Sequence, residues 1–503
     1  MSKRMCIGVD FGGSSSKATL IDETGKVVAT ATKEYVTYYP HPGWVEQKPE
    51  DLVGAFISNV KEILEKSQVQ PESIVALAVD AATHMAVFLD ENDTPLRNIM
   101  HWSDSRSFEQ VQWLKKEKGD LLKRYSVNTV SSGWNLPQML WLQEHEPEVL
   151  KKTRHILFAK DYIRHCITGD YYTDYIEAMG ALLSDDRTGE WVPELCSLAG
   201  IDIHVMPEVK APHDIAGTVS PTMAELTGLS TTTKVLIGTT DTALEVYASG
   251  AVAPGCATVK LATAGRICPI TTGPVNSPYF FNYKHIVPEM WYPGTGTRSC
   301  AASYRWFRDT FGDYEMARAK KGEDNAYELM NTLAEQVPAG SEKLFFHPYL
   351  LGEMTPYNND KLRASYTGVG MYHTKGHFAR ATMEGISYSM KDSLEEIRRN
   401  QISVDQFRII GGGAKSPLWS QILCDVLGEP LWRTQNNDAS LGSAMLAGTA
   451  CGFFEDYADS VEKCVKVSGY IEPIEKNVKA YQEGFVYYRE IQKALAPIYE
   501  RMI

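Results

Sequence analysis

Apolar and polar residues alternate in short runs at the start of this chain, the period of strands rather than helices. Met5 to Asp10 (MCIGVD) reads as a strand, Phe11 to Ser16 as a Gly/Ser turn, and Lys17 to Ile21 as a second strand. Asp22 to Gly25 is a turn signal and Val27 to Thr32 a third strand, so the chain opens with an antiparallel meander. The period then changes. Leu52, Phe56, Val60 and Leu64 share one face of a helix over Asp51 to Gln68, and Ile74 to Val79 reads as a buried strand, with Val87 to Asp90 a further one.

The opening layout recurs. Ala257 to Leu261 and Arg266 to Ile270 read as strands around the tight turn Ala262 to Gly265. Before them come a strand over Lys234 to Gly238 and a helix over Asp241 to Tyr247, ended by Gly250 and Ala253-Pro254-Gly255. These features predict a duplicated α/β chain with halves 1–250 and 251–503, no low-complexity linker and a shared cleft. Helices are predicted at His377 to Arg398, Pro417 to Leu427, Ser440 to Ala450 and Lys476 to Ala496.

Composition narrows the class. The 503 residues are 44% hydrophobic and 22% charged, as in an ordinary globular enzyme. The net charge of -13 argues against nucleic acid as a general partner. The nine cysteines form no CxxC pair, which speaks for reduced thiols and a cytoplasmic protein without a zinc site. With no signal-peptide h-region and no apolar run of about 18 residues, no membrane partner is expected.

Several turns carry candidate chemistry. In Asp10-Phe-Gly-Gly-Ser-Ser-Ser-Lys17 a carboxylate ends a strand and small residues follow, a layout whose backbone N–H groups can cradle phosphate while the acid holds hydrated Mg²⁺. It is equally the layout of a plain hairpin with a capping Asp. Ala262-Thr-Ala-Gly265 sits at the matching turn of the second half. Ile409-Ile-Gly-Gly-Gly-Ala-Lys415 runs from a strand into glycines that let a ring or phosphate approach; it is no P-loop, since Ala414 precedes Lys415. Asp241, where a strand passes into a helix, can take a proton from a hydroxyl or simply cap the helix. Thr83-His84 and Trp102-Ser-Asp-Ser-Arg106 offer polar groups to a polyhydroxylated ligand, although Asp104 and Arg106 also suit an ion pair.

Taken in order, GVDFGGSSSK, PHPGWVEQKPED, HWSDSR, AKDYI, GTTDTA, LGEMTPYNN, FARATMEGISY, GGGAKSPLW and ASLGSAMLA resemble the FGGY carbohydrate kinase family over nearly the whole chain. The spacing is most similar to the xylulokinases. The resemblance implies two ribonuclease-H-like domains of the actin–hexokinase type with an interdomain ATP cleft. It implies ATP and Mg²⁺ as cofactors, a small sugar as substrate and a homodimer.

By position, the family's catalytic base falls on Asp241 and the acid near metal and γ-phosphate on Asp10. Gly13, Ser14 and Lys17 fall in the first phosphate loop, Thr263 and Gly265 in the second. Gly412 and Gly413 match the nucleoside-binding glycines, and Trp306 resembles a tryptophan that flanks adenine. Thr83, His84, Trp102 and Arg106 fall on the sugar side. Two stretches depart from the pattern. Ala82-Thr83-His84-Met85 stands for Gln-Met-His-Gly, and Ala262-Thr-Ala-Gly265 for Gly-Thr-Ser-Gly.

The resulting expectation is transfer of the ATP γ-phosphoryl to an open-chain sugar, D-xylulose to D-xylulose 5-phosphate first. L-xylulose, ribulose, erythritol and gluconate are the alternatives within the family. An actin-like ATPase switch and a non-catalytic sugar sensor are the alternatives outside that activity.

Overall fold

The computed structural model describes residues 3–322, 325–435 and 437–502. It divides into two compact units, one of residues 1–252, 283–290 and 436–466, the other of 253–282, 291–435 and 467–503. The chain passes from the first to the second close to the predicted division. It then returns to the first twice, which no local signal at 283–290 or 436–466 announced.

The first unit is built on a six-stranded sheet. Its strands are β1 (Met5–Phe11), β2 (Ser15–Asp22), β3 (Val27–Glu34), β4 (Ile74–Ala81), β5 (Ile215–Thr218) and β6 (Lys234–Leu236), in the order β5-β6-β4-β1-β2-β3. β1, β2 and β3 form the predicted antiparallel meander, and β4 and β6 add in parallel. Helix α1 (Pro49–Ser67) starts at a proline and packs its face of Leu52, Phe56, Val60 and Ile63 into the core.

Further helices of this unit are α2 (Ala159–Thr168), α3 (Tyr175–Ala181) and α4 (Asp241–Ala248). The second unit repeats the sheet with β7 (Gly255–Leu261), β8 (Gly265–Pro269), β9 (Thr295–Gly296), β10 (Val404–Ile410), β11 (Leu431–Thr434) and β12 (Val467–Ile471), ordered β9-β8-β7-β10-β11-β12. The senses match those of the first sheet: an antiparallel meander, two parallel strands, an antiparallel edge. The duplication read from the sequence is thus present in the topology.

The helices α5 (Ala301–Phe311), α6 (Lys375–Arg399), α7 (Pro417–Leu427) and α9 (Glu475–Met502) belong to the second unit. Helix α8 (Ala439–Ala450) belongs to the first. Its small residues explain why. A Cβ on Gly8 of β1 would collide with the Ser440 carbonyl, and one on Gly442 with the Leu244 carbonyl of α4. Helix, sheet and neighbouring helix approach at backbone distance because glycine stands at both contacts. Among the described residues no helix is long and apolar enough to cross a membrane.

Candidate active site

The chemistry-bearing residues of the first unit gather at the carboxyl ends of its parallel strands, where open α/β sheets place their ligands. Asp10 on β1 and Asp80 on β4 are partners in the parallel register, so their side chains emerge side by side. Thr240 bridges Ala81 at the next strand position, which brings Asp241, the first residue of α4, to the same edge. Gly238 makes that approach possible: its φ is +70°, and a Cβ there would collide with the Val79 carbonyl. Asp241 Oδ1 takes the Thr242 N–H, a local helix-start bond that holds the carboxylate in one orientation. Asp80 Oδ2 accepts the Ser443 hydroxyl from α8.

Desolvation pushes Asp10 up to about 7; its hydrogen bond with Asp80 opposes this, and the charge of Asp241 adds to it. Desolvation also raises Asp80 well above the carboxylate range, with Asp10 the next cause. With Asp80 buried and Asp10 half-buried beside it, the two carboxyls resist ionising together, and one shared proton gives the pair its hydrogen bond. Lys17, paired across the β1–β2 ladder with Asp10, holds Asp438 at 2.6 Å. Asp438 in turn caps α8 through the Leu441 N–H.

The β1–β2 turn is fastened by its carbonyls. The Tyr35 hydroxyl donates to Gly12 O, and Thr37 Oγ1 and Gln47 Nε2 donate to Gly13 O at 2.6 and 2.9 Å. The Tyr35 N–H donates to Ser14 O at 3.1 Å. Among the described residues neither the Gly13 nor the Ser14 N–H reaches a protein acceptor. A turn pinned on its acceptor side with donors left over is suited to an anion.

On the sugar side of the motif, His84 stands in the left-handed region at φ +69°, uncommon for a residue other than glycine. Four bonds hold it there. Its N–H donates to Glu177 Oε1 at 2.9 Å, and its carbonyl accepts Asn135 Nδ2 at 2.9 Å. Nδ1 donates to Gly180 O at 2.6 Å, since a carbonyl only accepts. Nε2 is thereby the acceptor and receives the Tyr283 hydroxyl at 3.1 Å. The rings of Trp134 and Tyr283 stack beside it. Gly180 is required, because a Cβ there would sit 2.7 Å from Thr83 Oγ1 and 2.8 Å from the His84 ring. Thr83 Oγ1 is buried with no hydrogen-bond partner. Below, Lys160 of α2 pairs with Asp161 and Asp174, and Arg164 with Asp161 and Asp170, a buried network that fixes the base of α3.

Arg106 differs from its expectation as a sugar donor. Its side chain is fully buried, with Trp44 3.8 Å from the guanidinium and Trp141 on the other approach. It chelates Asp104 and reaches Glu46 at 2.8 Å, while Asp104 also accepts the Val45 N–H at 2.6 Å. The Trp-x-Asp-x-Arg stretch is a clasp between two loops, the reading in which Asp104 and Arg106 pair. Burial between aromatic rings, which local sequence does not reveal, holds the guanidinium in place, and its Nη1 is buried with no hydrogen-bond partner. Trp102 is 49% exposed and leans on the His101 ring.

In the second unit the β7–β8 turn is again tied by its carbonyls, here to the start of α5. The Ala301 N–H donates to Ala262 O at 2.7 Å and the Cys300 N–H to Thr263 O at 2.9 Å. Thr263 is exposed. Gly265 is packed: a Cβ would meet Met390 and Thr297, whose hydroxyl accepts the Gly265 N–H at 3.0 Å. The two glycines after β10 also separate. Gly412 faces open space, but a Cβ on Gly413 would lie 2.8 Å from the Leu261 Cβ and 3.0 Å from Trp419. Gly413 therefore serves the packing of the turn itself. Trp306 stacks on Phe346 and meets Phe311 edge-on; it is Tyr304 that reaches Trp419. Trp306 is half-buried by these contacts.

Asp80, Asp438, Glu177, Asn135 and Tyr283 escaped the sequence reading. Asp80 had a signal, for LAVD ends its strand as IGVD does at Asp10. Tyr283 had none, being brought to His84 by a segment two hundred residues away in sequence.

This layout belongs to the sugar kinases. The FGGY family of carbohydrate kinases matches with its N-terminal domain over residues 5–247 and its C-terminal domain over 260–451. The xylulose kinase of Bacillus subtilis is 33% identical over 490 residues, 96% of each chain. The gluconokinase of Bacillus licheniformis is 26% identical over 99% of this chain and 97% of its own. The crystal structure of xylulose kinase from Rhodospirillum rubrum superposes with a TM-score of 0.89 at 25% identity, covering 99% of this chain and all of that one. The chain belongs to the FGGY family of carbohydrate kinases. It is a phosphotransferase of the xylulokinase-like kind.

Proposed function

We propose that this kinase transfers the γ-phosphoryl group of ATP to a hydroxyl of an open-chain pentulose, with D-xylulose the preferred acceptor. The observation that carries the kinase chemistry is the set of Asp10, Asp80 and Asp241 at adjacent strand ends beside a turn with spare N–H donors. Asp241 is the general base. Thr242 occupies Oδ1 and leaves Oδ2 to take the proton of the attacking hydroxyl. The new bond joins the sugar oxygen to the γ-phosphorus, the bond to the β,γ-bridging oxygen breaks, and ADP departs with that oxygen. Gly13, Ser14 and Lys17 hold the transferring group, and the motif match assigns Thr263, Gly265 and Gly412 to the nucleotide.

Mg²⁺ fits the donor set in one way. Among the described residues no three ligating side chains converge on a metal position. An ion that keeps most of its waters and takes one or two carboxylates plus phosphate oxygens needs no such cage. Asp10 would be its carboxylate, and the ion would neutralise charge on the phosphates. Asp80, raised well above the carboxylate range, would hold the proton the pair shares, which favours Asp10 as the ion's carboxylate.

The preference for a pentulose is supported by the higher identity to xylulose kinases than to gluconokinases. The buried, unpartnered Thr83 hydroxyl beside His84 suits a sugar hydroxyl, since it can both donate and accept. A coupled ADP-release assay over D-xylulose, L-xylulose, D-ribulose, L-ribulose, erythritol, glycerol and gluconate tests this. D-xylulose should lead by about tenfold or more in kcat/KM. A lead for gluconate or glycerol removes the pentulose assignment, and no sugar-stimulated ADP release removes the phosphoryl-transfer mechanism.

A further inference from the structure

His101 has no place in the mechanism above, yet its ring is aimed at the turn proposed to hold phosphate. The side chain is 5% exposed and its backbone is held by the Val45 carbonyl at 2.9 Å. Nδ1 accepts the Ser103 N–H and lies 2.7 Å from the Ser103 hydroxyl. A backbone N–H only donates, so Nδ1 is the acceptor and the hydrogen of the neutral ring resides on Nε2. Burial pushes the imidazolium down to about 4, Asp104 opposing, so the neutral form is the one present near pH 7.

Nε2 is buried with no hydrogen-bond partner, and the nearest atom to a methyl placed on Gly13 would be this nitrogen, 3.7 Å away. An N–H donor kept from water without an acceptor is costly to the fold and marks a place where an acceptor is supplied from outside. The Gly13 and Ser14 N–H groups of the same turn are likewise without protein acceptors among the described residues. Three N–H donors converging on one place favour an anionic oxygen, which accepts from all of them.

We propose that His101 Nε2–H donates a hydrogen bond to an oxygen of the transferring phosphoryl group held at the Gly12–Ser14 turn. This rests on the reading of that turn as a phosphate site. His101 is then a substrate-contacting residue that stays neutral, adding a donor without adding charge beside Lys17. Its partner Ser103 sets the tautomer, and the clasp of Asp104 and Arg106 fixes the loop that carries it.

The test compares wild type with His101→Leu, His101→Asn and His101→Gln, and uses Gly13→Val as the probe of the turn. Calorimetry measures binding of ADP and of a non-hydrolysable ATP analogue, each with Mg²⁺, and steady-state kinetics give kcat and KM for ATP and sugar. His101→Leu should bind the triphosphate analogue about ten- to a hundredfold more weakly and leave ADP and sugar within about twofold. Gln, whose amide reaches about as far as Nε2, should retain most of the affinity, and Asn, which stops short, should behave as Leu. Equal loss for ADP and triphosphate, an effect confined to the sugar KM, or no loss at all overturns the proposal. Thermal unfolding accompanies each variant. If Leu does not fold, the Asn–Gln pair decides, and equal behaviour of the two overturns it. Gly13→Val losing the triphosphate while His101→Leu does not sinks this inference alone; Gly13→Val without effect sinks the phosphate reading of the turn and this inference with it.

Discussion

The two sheets share one strand pattern but differ at the end of their first strand. In the first unit β1 delivers Asp10, whose register partner on β4 is Asp80. In the second, the residue one before the hairpin closure on β7 is Lys260, and its partner on β10 is Ile410. The first turn has four residues between its closing pair Phe11 and Ser16, the second three between Leu261 and Gly265. Both turns are tied by their carbonyls, one to side chains and the following strand, the other to the start of a helix. The backbone solution is common and the charge is not. A duplicated scaffold supplies two turns of similar construction, and the residue at one strand position decides which of them carries acid chemistry.

If that is so, removing the acid function from the first unit should have the largest effect. Asp241→Asn should lower kcat by about 10²–10⁴-fold while sugar binding by calorimetry persists. Turnover within a few-fold of wild type would mean the proton leaves by another route.

A second contrast is electrostatic. Each unit has a buried glutamate whose carboxyl is pushed up: Glu177, raised to about 8 by desolvation with Lys160 opposing, and Glu353, raised to about 7 by desolvation with backbone N–H bonds opposing. A carboxyl whose folded pKa lies above its unfolded value binds more protons when folded. Its stabilisation is complete below about pH 4.5 and is lost as pH rises through the folded value. Stability should therefore fall between about pH 5 and 8. Glu177→Gln should flatten that slope, by an amount on the order of 1–3 kcal/mol at pH 8, and Glu353→Gln by less. Denaturant melts at several pH values check this; identical slopes in wild type and both variants would refute it.

Next come the glycines of the second unit. Gly413→Val forces a side chain against Leu261 and Trp419 and should destabilise by about 1–3 kcal/mol. Gly412→Val meets open space, so it should leave the melting temperature nearly unchanged and weaken ATP by about tenfold, or ~1.4 kcal/mol. The reverse ranking would exchange the roles of the two.

The smallest effect concerns the turns themselves. Ala264→Ser gives the second turn a hydroxyl where the first has Ser14. One added hydrogen bond should lower the KM for ATP a few-fold, about 0.5–1.5 kcal/mol. No change would leave phosphate binding at that turn to backbone N–H groups alone.

Much of this was legible beforehand. The β1–β2–β3 meander, α1, α6 and α7 followed from alternation, helical period and turn residues; β1 runs one residue past its predicted end at Asp10, and the helices differ by only a few residues at their ends. Asp10, Asp241 and His84 were singled out because each sits at a turn or element boundary that composition marks. Arg106 and Trp306 were read as ligand contacts, and the structure adds aromatic neighbours to both, Trp44 and Trp141 for the one and Phe346 and Phe311 for the other. A guanidinium in a clasp and one in a binding site have the same sequence, and only the position of Trp44, Trp141 and Glu46 separates them.

By itself the sequence determined the local structure, the duplication and the residue types at the strand ends, because backbone preference and hydrophobic period act over a few residues. Which of those residues meet was decided by tertiary structure. The pairing of Asp10 with Asp80 depends on strand register, the seat of α8 on β1 depends on Gly8 and Gly442, and the His84–Tyr283 bond joins segments far apart in the chain. The shift of a carboxyl or the silence of an imidazole follows from the neighbours and water that such contacts admit or exclude. No local pattern contains those neighbours.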